Sequence, residues 1–180
     1  VRIAAQTFTL DGDISADGLD GLSRSGGGSG GAIYIDAQIM SGIGSISSNG
    51  GGGGANGAGG GGGGRISISS ADVSGFNTDS VTVTGGGGSA AGSDGSYLIK
   101  NGDEITIKKG FTINDGDMAY DNLNITADGC TLTVDGEHTF GDLSIINGGN
   151  VTHSASTTTT VYSMDLTVTG TLVIRSEEHT

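Results

Sequence analysis

The sequence predicts an all-β protein, a right-handed parallel β-helix or β-solenoid with glycine-rich loops. Three observations carry that class. Short β-branched motifs recur at a fixed period, glycine supplies 38 of the 180 residues, and large side chains are too few for a thick core. The motifs open at Val1-Arg2-Ile3, Ile33-Tyr34-Ile35 and Ile66-Ser67-Ile68, 32 and 33 residues apart. Each leads to a second apolar motif, at Ile14-Ser15, Ile46-Ser47 and Val81-Thr82. Four phenylalanines, four tyrosines and no tryptophan leave only a thin column of Val, Ile and Leu to bury, which is what stacked coils require. No stretch repeats apolar residues at helical spacing without glycine or β-branched interruption, so no helix is expected.

The chain divides near residue 96. Residues 1–96 read as glycine-rich solenoid repeats, with glycine tracts at residues 26–31, 50–64 and 85–88. Residues 97–174 read as β-helix rungs of about 20–23 residues. There Leu123-Asn124-Ile125-Thr126, Leu143-Ser144-Ile145-Ile146 and Leu166-Thr167-Val168-Thr169 are spaced 20 and 23 apart, and Leu123, Leu143 and Leu166 are expected in one inward column. Asp-Gly pairs such as Asp128-Gly129 and Asp135-Gly136 read as rung corners, where the short carboxylate caps local N–H groups. Residues 175–180 stand apart: a coding string for Arg175-Ser176-Glu177-Glu178-His179-Thr180 resembles a short-read sequencing adapter. The six are read as an artefact on a metagenomic gene fragment, with any signal peptide outside it.

The charge balance is acidic: 20 acidic residues, 16 of them Asp, against seven basic ones, for a net charge of -13. Such a surface repels nucleic acid and anionic lipid, so neither nucleic-acid binding nor membrane insertion is expected. The single cysteine, Cys130, has no disulfide partner in the chain and reads as a small inward-packing residue.

Residues 111–174 resemble the β-helical repeat modules of very large bacterial secreted and cell-surface proteins of the adhesin-like or autotransporter-passenger-like type. The phrases DGEHTFGDLSIINGG (135–149), NVTH (150–153) and DLTVTGTL (165–172) carry the resemblance. The phrases GGGSGGAIYIDA (26–37) and GGGGGGRISIS (59–69) are similar to the glycine-rich segments that alternate with such modules. The resemblance implies export, rigidity and length, and it supplies no catalytic residues. The expected function is a non-catalytic structural or adhesive segment, extracellular or at the cell surface, meeting surfaces or glycans and self-associating through uncapped ends.

Four local features invite sharper readings. The glycine tract before Arg65-Ile66 lacks the Gly-Lys-Ser/Thr of a phosphate-binding loop, and reads as either a floppy loop or a compact polyproline-II layer on the solenoid. Asp11, Asp13, Asp17 and Asp20 could offer oxygens to Ca2+, although Ala16 and Leu22 stand where an EF-hand needs Gly and Glu; the alternative is a solvated turn. Asp103-Glu104, Asp115-Gly116-Asp117 and Glu137-His138 are the tight pairs that a polysaccharide lyase or glycosidase would use, the enzymatic alternative. His138 and His153 are otherwise expected to cap turns or sit on an exposed strand face. Alternating threonines at Thr82/Thr84, Thr131/Thr133 and Thr167/Thr169, with the run at residues 157–160, raise the second alternative, an ice- or mineral-surface binder.

Overall fold

The computed structural model describes residues 1–175; the suspected tail from Ser176, His179 included, lies outside the described residues. The fold is a parallel β-solenoid of about six turns in all, built as two compact units, residues 1–102 and the residues from Asp103 onward. No α-helix occurs among the described residues, only single 3-10 turns at Thr78–Ser80 and Met118–Tyr120.

In the first unit, β1 (Arg2–Thr9), β3 (Ala32–Gly42), β5 (Arg65–Phe76) and β7 (Ser96–Asn101) stack as one parallel sheet. The shorter β2 (Asp13–Ser15), β4 (Ser45–Ser47) and β6 (Val81–Thr82) form another. The repeat period fixes the register residue for residue. Ile3, Ile35, Ile68 and Ile99 form one inward column, Ile33, Ile66 and Tyr97 a second, and Ile14, Ile46 and Val81 a third. Strict alternation makes this possible: along β3, Ile33, Ile35 and Ala37 are buried while Tyr34 and Asp36 face out. Each fully buried isoleucine contributes about 2 to 3 kcal/mol of apolar transfer. Past Ala37 the alternation of β3 changes phase, Gln38 and Ile39 both facing out and Met40 fully buried in the same cluster as Phe76, and β5 then carries one extra residue between its partners of Ile39 and Ser41.

The glycine tracts form an ordered second layer of this unit. Each coil sends out one leg and returns by another: residues 16–24 and 25–31, then 48–55 and 58–64, then 83–87 and 89–95. Along the legs of the first two coils every third amide donates to the coil above. Gly18, Gly21 and Arg24 reach the carbonyls of Asn49, Gly52 and Ala55, and Gly27 and Gly30 reach Gly59 and Gly62, all at 2.7–3.1 Å. Gly50 and Gly53 repeat the step to Thr84 and Gly87, and Gly60 and Gly63 to Ala90 and Ser93. The next amide along donates sideways, as Gly28 does to Leu19, Gly51 to Gly28, Gly61 to Gly51 and Gly86 to Gly61. A three-residue step with no bonds inside a leg is that of polyproline II, and here the legs satisfy one another instead of water. Of the two readings left open for these tracts, the compact layer is therefore the one adopted.

Glycine is obligatory here because backbones touch. A Cβ on Gly51, Gly61 or Gly86 would lie under 3.0 Å from the carbonyl oxygens of Leu19, Gly28 and Gly51 respectively.

The second unit contains β8 (Glu104–Lys109), β9 (Phe111–Ile113), β10 (Asn124–Asp128), β11 (Thr131–Val134), β12 (Gly136–Phe140), β13 (Leu143–Ile146), β14 (Asn150–Thr152), β15 (Met164–Val168) and β16 (Leu172–Ile174). They pair in parallel as β8-β10-β13-β16, β9-β11-β14 and β12-β15. The coils are unequal: Ile105 to Ile125 is 20 residues, Ile125 to Leu143 is 18, and Leu143 to Leu172 is 29.

The expected leucine column is corrected accordingly. Leu143 stacks between Ile125 and Leu172, Leu123 lies half-buried just before β10, and Leu166 sits in β15 opposite His138. A slip of two residues keeps every side chain on its original face, so alternation could not distinguish Leu123 from Ile125 as the partner of Leu143. Gly129 and Gly136 take positive φ of 64° and 91° at the corners ending β10 and opening β12, as their Asp-Gly context requires.

Candidate functional site

The acidic residues of the first coil do not converge on a common point. Asp17 accepts the Asn49 N–H at 2.6 Å and the hydroxyls of Ser15 and Ser47 at 2.8 Å each. Asp20 accepts the Gly52 N–H at 2.6 Å, Asp13 the Ser45 hydroxyl at 2.5 Å, and Asp11 the Ile43 N–H at 3.3 Å. Each carboxylate thus serves a residue one coil on. Partial burial works against the charge on Asp17, but its hydrogen bonds from Asn49, Ser15 and Ser47 outweigh it and hold the carboxyl below its ordinary value. Among the described residues no three His, Cys, Asp or Glu side chains lie close enough to share a metal ion.

The same device recurs up both units. Asn49 takes the place of Asp17 in the next coil, its side-chain oxygen accepting the Thr84 N–H at 2.8 Å and hydroxyl at 2.9 Å. In the second unit Asn124 accepts the Asp142 N–H at 2.9 Å, and Asp142 accepts the Thr171 N–H at 2.6 Å. Asp135, almost fully buried, takes both the N–H and the hydroxyl of Ser154 at 2.7 and 2.6 Å. Burial disfavours its charge, and the Ser154 bonds, aided by His153, more than compensate, so its carboxyl is also held low. Asp128 bridges Lys108 and Asn147 at 2.6 Å each, and the Lys108 hydrogen bond is the largest cause of its lowered pKa.

The pairs considered for glycan cleavage fare unevenly. Glu137 and His138 are neighbours on β12 and point to opposite faces: Glu137 is exposed, while His138 is 1% exposed. Asp115 and Asp117 flank the left-handed Gly116 in a turn, and Glu104 opens β8. Of the basic residues, Arg2 lies over the Tyr34 ring at 5.8 Å, Lys108 is bonded to Asp128, and Arg24 turns between glycine legs with φ 65°.

His138 differs from expectation. It neither caps a turn nor faces solvent; Nδ1 meets Asp121 Oδ1 at 3.0 Å, Nε2 meets the Asn114 carbonyl at 3.1 Å, and the ring stacks near Phe140. Both nitrogens face acceptors, and the ring clips together the two ends of the excursion at residues 114–121. Nothing local in the sequence signals this, since its partners lie 24 and 17 residues back. His153 is exposed, with Nδ1 at 2.8 Å from the Ser154 carbonyl oxygen.

The threonine motifs fall on three sheets: Thr82 on β6, Thr131 and Thr133 on β11, Thr167 on β15. The run at residues 157–160 folds on itself, Thr157 Oγ1 accepting the Thr160 N–H at 2.9 Å. One short in-register rank does exist, Thr112, Thr133 and Thr152 across β9, β11 and β14. Cys130 is half-buried, its Sγ donating to the Ile107 carbonyl at 3.1 Å, and burial pushes the thiol pKa up. Among the described residues no helix is long and apolar enough to cross a membrane.

Neither a protein-family model, nor a curated protein, nor a solved structure matches this chain.

Proposed function

We propose that this chain is a non-catalytic structural or adhesive repeat segment of a large exported bacterial protein, working outside the cell as part of a rigid stalk or adhesin. The observation that carries the reading is the use made of its polar side chains. Asp17, Asn49, Asn124, Asp135 and Asp142 are committed to hydrogen bonds between successive coils, and the Glu137-His138 pair is split between opposite faces of its strand. What remains outward is a dispersed acidic surface suited to solubility and to cation-bridged contact with extracellular surfaces or glycans. The recurring coil supplies length and stiffness, because each coil rests on its neighbours alone.

Incubation of the purified chain with acidic polysaccharides, followed by assay for new chain ends, tests the reading. No cleavage is expected, and any retention on polysaccharide or cell surfaces should survive Asp117→Asn. Cleavage that Asp117→Asn abolishes would overturn the proposal in favour of an enzyme.

A further inference from the structure

Four Asn-Gly steps occur in the chain, at Asn49-Gly50, Asn56-Gly57, Asn101-Gly102 and Asn147-Gly148. In such a step the glycine amide nitrogen, unshielded by a following side chain, can attack the asparagine side-chain carbonyl carbon. Whether it does depends on how firmly both groups are held. At the first step both are pinned: Asn49 Oδ1 accepts two hydrogen bonds from Thr84, and the Gly50 N–H donates to the Thr84 carbonyl at 2.8 Å. Asn101, with its amide nitrogen turned inward, donates to the carbonyls of Ala71 and Ser70 at 2.8 and 3.3 Å. Asn147 donates from Nδ2 to Asp128 at 2.6 Å.

Asn56 is different. It sits with Gly57 in the exposed turn joining the two glycine legs of the middle coil, at φ 67° and 89°. Among the described residues, neither its side chain nor the Gly57 N–H has a hydrogen-bond partner. We propose that Asn56-Gly57 is a site of spontaneous backbone modification. The Gly57 nitrogen bonds to Asn56 Cγ, the Cγ–Nδ2 bond breaks, and ammonia leaves with the proton that Gly57 gives up. Water then opens the succinimide at either carbonyl, leaving aspartate or isoaspartate at position 56. The layer itself survives, because Gly54 and Ala58 on either side keep their bonds to Ser25 and Ser89. A negative charge, and in the isoaspartate form one extra backbone carbon, accumulates at the turn.

The test is timed incubation of the whole folded chain at mildly alkaline pH, with peptide mapping by fragmentation that separates aspartate from isoaspartate. Asn56 should convert roughly tenfold or more faster than Asn49, Asn101 or Asn147, since each held step needs a local opening first. In denaturant the four rates should converge, and Asn56→Gln should remove the early isoaspartate signal from the folded chain. Conversion of any of the other three as fast as Asn56 in the folded chain would overturn the proposal, as would a denatured chain that keeps the folded order of rates.

Discussion

Asp17 accepts the backbone N–H of Asn49 across 32 residues of sequence at 2.6 Å, and Asn49 in turn accepts from Thr84. A side chain that caps the next coil as well as bonding within its own turn ties stacking to ionisation. Asp17, Asp128 and Asp135 all have pKa values lowered from the ordinary 3.8. Groups with folded pKa values below the unfolded value contribute stability that is present above pH about 4 and is lost as pH falls through the folded values. The melting temperature should therefore change little in this respect from neutral pH down to about 5 and drop below about 4. Asp135→Asn should flatten that acid limb in thermal melts recorded against pH, and an unchanged limb would contradict the assignment.

Gly51→Ala places a methyl against the Leu19 carbonyl at the centre of the glycine layer. Backbone cannot move aside as a side chain can, so a loss of about 3 kcal/mol or more in denaturant unfolding is expected. Gly87→Ala, in the same layer but with nothing within 4 Å of the added carbon, should stay within about 0.5 kcal/mol of the parent.

His138→Ala removes the clip between Asn114 and Asp121 and leaves a buried void beside Phe140. It should cost about 2 to 3 kcal/mol and raise hydrogen exchange across residues 114–121. The exposed His153→Ala should be near neutral in the same measurements.

The edge strands β1 and β16 each have a sheet neighbour on one side only among the described residues, and Leu172 and Ile174 are 54% and 70% exposed. Open backbone beside apolar side chains templates pairing with another chain. The chain expressed alone should self-associate, with acidity only moderating the tendency. A monodisperse monomer by light scattering at tens of micromolar would count against it.

The columns of the first unit were legible because Ile33-Tyr34-Ile35 and Ile66-Ser67-Ile68 repeat both alternation and motif, so that laying one motif on the other pairs Ile33 with Ile66 and Ile35 with Ile68. The second unit has unequal coils. A two-residue slip between Leu123 and Ile125 preserves the buried face, so sequence alone could not choose between them. The state of the glycine tracts depends on where neighbouring legs lie, as when Gly61 bonds to Gly51, and composition carries none of that. For the candidate sites the missing information was likewise long-range. The acidic run at residues 11–20 reads locally as a possible ligand set, yet its partners stand a full coil away at residues 43–52.

The glycine layer buries amide groups where most proteins bury hydrocarbon, and the two respond oppositely to temperature. Exposing apolar surface raises the heat capacity on unfolding, whereas exposing polar backbone lowers it. A unit whose second layer is held by Gly18, Gly51, Gly61 and Gly86 amides should thus have an unusually small heat-capacity increment per residue. Its stability curve is correspondingly shallow: little is lost on cooling, because the part of the driving force that fades in cold water is the part this layer does not use.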